Sequence, residues 1–410
     1  MILQNRRFLA LWSGNALSLV GTAGVRIAYP LLALALFDSP ELAGWIAFAA
    51  TIPTLILQVP AGLIADTVNR RLLMLVAQAV GLAATVCVLL ASALDLRGLA
   101  VILIVAAVLE GSAFVVFGIA EVGAVRDVVD ERERTVAFSF LEAEQPIGNL
   151  AGRAVGGALF DLSRWAPFLF NAFSYVFCLL TLAAMPKHLF DPRPVPSAES
   201  VARFWRRMGE GLVWMWQIPY LRITTIVTGF TNILFQCVIL MVLVVGTREG
   251  RPAWTVGAIL AAAGVGGILG SFAAPRLERR FSPRALFLGC VWVWTVMLAL
   301  IAVSTHTVVL VAAWAGVGAV GTVVAVTLTV TRARAVPDSA LGRIVSAASV
   351  ITDGAVPIGA VLGGYLLAAA GPETTAWVLL AAMLLAALVC TRLLRPAPVD
   401  SASRLSAAHE

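Results

Sequence analysis

Residues 142–148 read Glu-Ala-Glu-Gln-Pro-Ile-Gly, and residues 353–359 read Asp-Gly-Ala-Val-Pro-Ile-Gly. An acid followed at fixed spacing by Pro-Ile-Gly therefore occurs twice. The same offset pairs Asp127 with Asp338, Arg132 with Arg343, Ala137 with Ala348 and Gly152 with Gly363. One Pro-Ile-Gly match could be chance in so apolar a sequence. Several matches in one register, charged residues included, argue for two related halves. Each half then holds a carboxylate within an apolar segment, and in membrane proteins related halves meet around a central site.

The 410 residues around these segments are 60% hydrophobic and 13% charged, with mean hydropathy +0.94. A soluble globular protein is less apolar than this. A helix needs about 20 apolar residues to cross the hydrocarbon. Twelve such stretches are read at 8–36, 42–64, 71–93, 99–123, 136–160, 165–185, 221–246, 254–274, 284–304, 307–330, 343–369 and 374–394. The expected fold is all-α and membrane-integral, with twelve transmembrane helices in two pseudo-symmetric six-helix halves. Residues 1–185 and 220–395 form the halves, 186–219 a cytoplasmic linker, and 396–410 a polar cytoplasmic tail. The linker's Phe204–Trp216 run mixes Arg206 and Arg207 with three tryptophans, the pattern of a helix lying in the interface; the plainer reading is a simple connector.

Charge gives the orientation. With the N-terminus in the cytoplasm, the 29 Lys and Arg residues fall on that side, apart from Arg97, Arg164, Arg248, Arg251 and the embedded Arg26 and Arg153. This is the positive-inside pattern, so the +6 net charge describes topology and carries no nucleic-acid reading. Both termini are expected in the cytoplasm of a multi-pass protein. A chain with Arg far in excess of its single Lys187 suggests a bacterial plasma membrane. No cleavable signal peptide is expected, because the first apolar run has the length of a span. Five cysteines sit within spans without metal-ligand spacing; no metal, disulfide or cofactor is expected.

Between the second and third spans stands Gly62-Leu-Ile-Ala-Asp66-Thr-Val-Asn-Arg70-Arg71. This resembles the cytoplasmic signature of the major facilitator superfamily, and a partial copy follows the eighth span at Gly270, Pro275, Arg276, Arg279 and Arg280. Gly148-x-x-x-Gly152-Arg153-x-x-Gly156-Gly157 is similar to the glycine-rich signature of the superfamily's drug:proton antiporters, which carry Gly-Pro where this chain has Gly152-Arg153. Glu210-Gly211-Leu-x-Trp214-x-x-x-x-Pro219-x-Leu221-Arg222 resembles the run before the seventh span in the macrolide and siderophore exporter branch. The resemblance implies that Asp66 holds the N-terminus of the helix beginning near Arg343, with Gly62, Arg70 and Arg71 completing a cytoplasmic gate. It also implies that the stripes Gly148/Gly152/Gly156 and Gly359/Gly363 form the seam between the halves.

Charges inside spans mark function by default, because each costs at least about 2.5 kcal/mol unless paired or wet. Arg26 lies about 18 residues, roughly 27 Å, from the inner end of its span, and Glu110 about 14 residues, roughly 21 Å, at ~1.5 Å per residue. An Arg26–Glu110 pair is expected, as structural bridge or proton switch, with Arg153 competing for Glu110. Glu142 shares a face with Gln145, Asn149 and Arg153, whereas Glu144 points away from it. Glu142 and Asp353 are the expected carboxylates near the pseudo-twofold axis. Glu110, Glu142, Asp353 and Glu144 are the candidates for carrying a proton; Glu121, nearer its span's inner end, is expected to be solvated. None of His188, His306 and His409 lies in a span.

Polar and aromatic residues recur at helical spacing in the four spans that the resemblance makes cavity-lining: Asn15, Thr22, Phe114, Phe117, Thr228, Asn232, Phe235, Gln236 and Trp314. That mixture suits bulky amphipathic solutes. The function expected from the resemblance is antiporter-type, proton-driven efflux of a drug-like or secondary-metabolite solute, hence multidrug or antibiotic resistance, by a monomer in the lipid bilayer. An importer or a lipid or anion transporter of the same fold is the alternative, favoured by Arg26 and Arg153. The sequence has no nucleophile elbow or phosphate-binding loop, so an enzyme is not expected.

Overall fold

The computed structural model describes residues 5–94, 98–190, 199–336 and 338–394. Within helices the side chains of Asp66, Arg207 and Asp338 lie outside the described residues, as does the tail expected at 396–410. The described residues form helices α1 (Arg6–Phe37), α2 (Pro40–Thr67), α3 (Arg70–Ala93), α4 (Leu99–Val128), α5 (Arg134–Leu162) and α6 (Ala166–Ala183). They continue as α7 (Glu199–Gln217), α8 (Pro219–Arg248), α9 (Ala253–Arg280), α10 (Pro283–Val303), α11 (Thr307–Ala335) and α12 (Asp338–Leu393). No strand occurs among them.

Local chemistry sets the boundaries. Ser39, Asn69 and Ser282 accept hydrogen bonds from the N–H groups of Leu42, Leu72 and Ala285, capping α2, α3 and α10. Prolines at the starts of α2, α8 and α10 have a fixed φ suited to a first turn. Among the described residues ten helices are long and apolar enough to cross a membrane. α5 is not among them; Glu142, Glu144, Arg153 and Asp161 dilute its hydrophobicity. α12 breaks at Gly371, where φ is 73° and ψ 170°, just before Pro372. That left-handed conformation favours glycine, and it turns a 56-residue stretch into two limbs.

Helices α1–α6 pack among themselves, as do α7–α12, and the two groups meet chiefly along α2 with α12 and α5 with α9. The glycine stripes do not form the expected seam. Gly148, Gly152 and Gly156 face Leu19, Ala23 and Gly24 of α1, within the first group. Gly359 and Gly363 face Ile233 and Cys237 of α8, within the second. The repeated glycines thus do the same packing work in both places, but they bind neighbours inside each group. The adjacent glycines, Gly157 and Gly364, face across the groups.

The linker helix α7 docks on α12. Arg343 donates to Glu210 at 2.5 Å, Gly211 lies against the Arg343 backbone, and Met215 is buried with Ile344 and Ala348. Trp214 and Trp216 remain exposed. The helix therefore has one face held by protein, with the two tryptophans exposed on either side of it.

Candidate functional site

The groups clasp at one end of the bundle and part at the other. A side-chain carbon added at Gly44 on α2 would lie 2.6 Å from the Ala360 carbonyl and 3.1 Å from Gly364 Cα on α12. One added at Gly157 on α5 would lie 2.6 Å from the Ala253 carbonyl and 3.1 Å from Gly257 Cα on α9. These contacts are backbone against backbone, which only glycine permits. Asp161 adds a polar latch: its two carboxylate oxygens accept from the Ala253 and Trp254 N–H groups at 2.6 and 2.7 Å, capping the N-terminus of α9. Trp45 Nε1 donates to Tyr365 Oη at 3.2 Å on the other side. The sequence reading missed Asp161; its signal was an acid at the end of one span facing the start of another.

The opposite end carries Arg70, Arg71, Arg279, Arg280 and Arg332. There Glu142, Ile147, Asp353 and Ile358 are exposed, and a side-chain carbon added at Gly62 would meet nothing within 4 Å. The close approach of α2 and α4 is made at Gly111 of α4, against the Ala50 carbonyl and Pro53 of α2. Arg70 forms a buried ion pair with Asp127 at 2.6 Å, and Arg71 donates to the Leu182 and Ala183 carbonyls at 2.8 Å. These bonds stay within the first group.

Glu110 is buried, and its expected ion pair with Arg26 is not formed. Its carboxylate accepts from Thr85 Oγ1 at 2.6 Å, Tyr29 Oη at 3.1 Å and Asn171 Nδ2 at 3.5 Å. Arg26 instead places its guanidinium 4.2 Å from the centre of the Phe114 ring, a cation–π contact. Depth along two helices says how far apart groups lie in one dimension; hydroxyls from α1 and α3 reached Glu110 first. Arg153 does not compete for Glu110 either. It donates from Nη1 to the Leu260 carbonyl at 3.0 Å, bridging α5 to α9.

Glu121 is not solvated, contrary to expectation. α4 runs on to Val128, so Glu121 lies within it and is 5% exposed. Its Oε2 accepts from Asn15 Nδ2 at 2.8 Å. Glu144 of α5 is equally buried, in electrostatic contact with Glu121 and beside Asn15. Glu142, two residues earlier, is exposed.

The expected cavity stripes separate by group. In the first group Asn15, Thr22, Phe114 and Phe117 do line one space, but it measures only about 20 Å³, close to one water molecule. Thr22 lies 3.3 Å from Tyr175 Oη. In the second group Trp314 is 3% exposed and packs edge-on against Phe235, which packs in turn against Trp294. Thr228 donates to its own helix at Thr224 O, and Asn232 to Thr352 O; Gln236 lies against Gly359. These residues are core and interhelix contacts in this conformation. A roomier cleft of about 390 Å³ opens between α5, α9 and α11, lined by Asn149, Arg153, Ser271, Gly318 and Thr322 with apolar neighbours. It lies in the size range of small-molecule sites. Among the described residues no cluster of metal-ligating side chains occurs.

The profile of a family described as transmembrane secretion effector matches residues 2–409. No curated protein sequence matches significantly. Among solved structures, a bacterial homologue of the iron transporter ferroportin in its inward-facing state is 17% identical, with TM-score 0.74 over 95% of this chain and 99% of that one. The same kind of homologue in its outward-facing state is 18% identical over 95% and 99%, with TM-score 0.56. The nucleoside transporter NupG is 12% identical, with TM-score 0.75 over 96% and 100%.

Proposed function

Since the chain belongs to the transmembrane secretion effector family and has the fold of major-facilitator-type membrane transporters, we propose that it is a proton-coupled exporter working by alternating access. The observation that carries this is the pair of glycine clasps, closed at one end of two helix groups that part at the other. In this reading α1–α6 and α8–α12 supply twelve spans in two halves, with α12 contributing two. The arginine-rich end faces the cytoplasm of a bacterial cell, as the positive-inside rule directs. The clasped end faces out, and the chain works as a monomer.

The cycle follows from the contacts. A drug-like, amphipathic solute enters from the open end and binds the cleft around Asn149, Arg153 and Thr322. Opening outward requires separating Gly44 from Gly364 and Gly157 from Gly257, and releasing Asp161 from α9. Closure of the inner end then brings Gly62, Asp66, Arg70 and Arg71 toward the start of α12. Glu110, Glu142, Glu144 and Asp353 are the acids available to exchange a proton across this cycle.

A second reading has its own support. No acid lines the cleft, whereas Arg153 does, which suits an anionic or lipid-like solute, exported or imported. The test is solute-dependent pH change in inverted vesicles containing wild type, Arg153→Gln, Glu110→Gln, Glu142→Gln or Asp353→Asn. Proton release by lipophilic antibiotics, lost in one carboxamide variant that still inserts, supports antiport. Transport of anionic amphiphiles alone, lost in Arg153→Gln, would replace it with the second reading.

A further inference from the structure

Glu121 and Glu144 present a problem that the rest of the molecule does not solve. Both are 5% exposed. Glu121 Oε1 and both carboxylate oxygens of Glu144 are buried with no hydrogen-bond partner. One amide, Asn15 Nδ2, serves both acids: it donates to Glu121 Oε2 at 2.8 Å and lies beside Glu144, so two N–H groups face four carboxylate oxygens. Neither acid forms an ion pair among the described residues.

The surroundings offer no compensating charge. α1 presents Asn15 and Ser18 and α3 presents Gln78; the Ser18 hydroxyl is already given to Gln78 Oε1. From α6 come the Cys178 thiol, in electrostatic contact with both acids, and the Tyr175 phenol, which lines the same small cavity as Glu121. Two bare carboxylates in such a place repel each other and lack solvation. Protonating an ordinary glutamate at neutral pH is opposed by only a factor of roughly 500. An uncompensated buried charge is opposed by far more. Two like-charged carboxyls sharing a site resolve this by holding one proton between them.

We propose that Glu121 and Glu144 form a carboxyl–carboxylate pair that binds a single proton, taken from and returned to water through the one-water cavity beside Glu121 and Gln145. On binding, an O–H bond forms on Glu144 and donates to Glu121 Oε1, so the pair carries one negative charge. On release, that bond breaks and the proton leaves to water. Glu110, by contrast, has three donors of its own, from α1, α3 and α6, so its carboxylate needs no second acid to share a proton with. The placement of the pair between α1, α4 and α5 puts it one element away from the α5–α9 clasp. Its use as the coupling site rests on the export reading above; its existence does not.

The test is infrared difference spectroscopy of purified protein in lipid, in the protonated-carboxyl stretching region, with hydrogen–deuterium exchange. Wild type is compared with Glu121→Gln, Glu144→Gln, the double variant and Glu110→Gln. A glutamine supplies an N–H donor where the protonated acid stood, so each single variant folds and loses the same band, and the double variant loses no more than either single. The Glu110→Gln spectrum retains that band. Additive losses, or no band in wild type, would overturn the shared proton. Loss of the band on adding sodium, calcium or manganese ions would make the pair a metal site and also overturn it. A shared proton found in a protein whose vesicle transport ignores the pH gradient keeps this site and refutes proton-coupled export. Proton-coupled transport with no shared band does the reverse.

Discussion

Replacing Asp161 by Ala removes the latch that caps α9 from the other helix group. The carboxylate makes two hydrogen bonds, at 2.6 and 2.7 Å, to consecutive backbone N–H groups. Loss of a side-chain cap costs about 1 kcal/mol and at most ~2, and the charge at a helix N-terminus adds roughly 0.3–1 kcal/mol. Because Asp161 and α9 stand in different groups, these bonds exist only while the clasp is closed. The whole loss, about 1–3 kcal/mol, therefore acts on the open–closed equilibrium, a shift of roughly 5–150-fold. Spin labels at the exposed positions Leu162 and Trp254, in a chain with Cys87 replaced by Ser, would read it by distance measurement. The separated population should rise by that factor in Asp161→Ala. It should rise by much less in Asp161→Asn, because asparagine caps nearly as well and only the charge is lost. An Ala variant whose distances overlay those of wild type would refute the latch.

Gly364→Ala should open the other clasp, since the Pro40 carbonyl and Gly44 Cα would meet the new methyl at 2.8 and 3.2 Å; the same distance measurement, with labels on α2 and α12, would show a longer separation. Asp127→Ala removes the 2.6 Å ion pair of the buried Arg70 and should lower the melting temperature in detergent more than Arg206→Ala, whose 3.7 Å pair with Glu210 is exposed. Gly371→Ala forces an L side chain into a positive-φ extended conformation open essentially to glycine alone and should cost about 1–3 kcal/mol, again read by thermal melting; an unchanged melt would mean that the α12 corner relaxes freely.

The spans are legible in the sequence because apolar length is a one-dimensional property. Even the corner in α12 is readable, since Gly371-Pro372 interrupts the apolar run where a turn is expected. Glu110 and Glu121 show where such reading stops. Distance from a helix end ranks Arg26 as the partner of Glu110, but rotation about the helix axis decides the partner and brings Tyr29 and Thr85 closer. A span ending at residue 123 leaves Glu121 wet; five more residues of helix bury it. The glycine stripes are packing surfaces in sequence and structure alike, yet the face they present changes with a one-residue step from Gly156 to Gly157. Trp314 fits a cavity by spacing and a core by size, and its aromatic neighbours choose the core.

The two clasps are unlike in kind. On the α5–α9 side the glycine contact is reinforced by a carboxylate and by the Arg153 bond to Leu260. On the α2–α12 side, among the described residues, it is reinforced by an indole–phenol hydrogen bond. The bundle is therefore a door hung on one ionic and one neutral hinge. Added salt screens the exposed Asp161 carboxylate, so it loosens the α5–α9 edge and leaves the α2–α12 edge as it was.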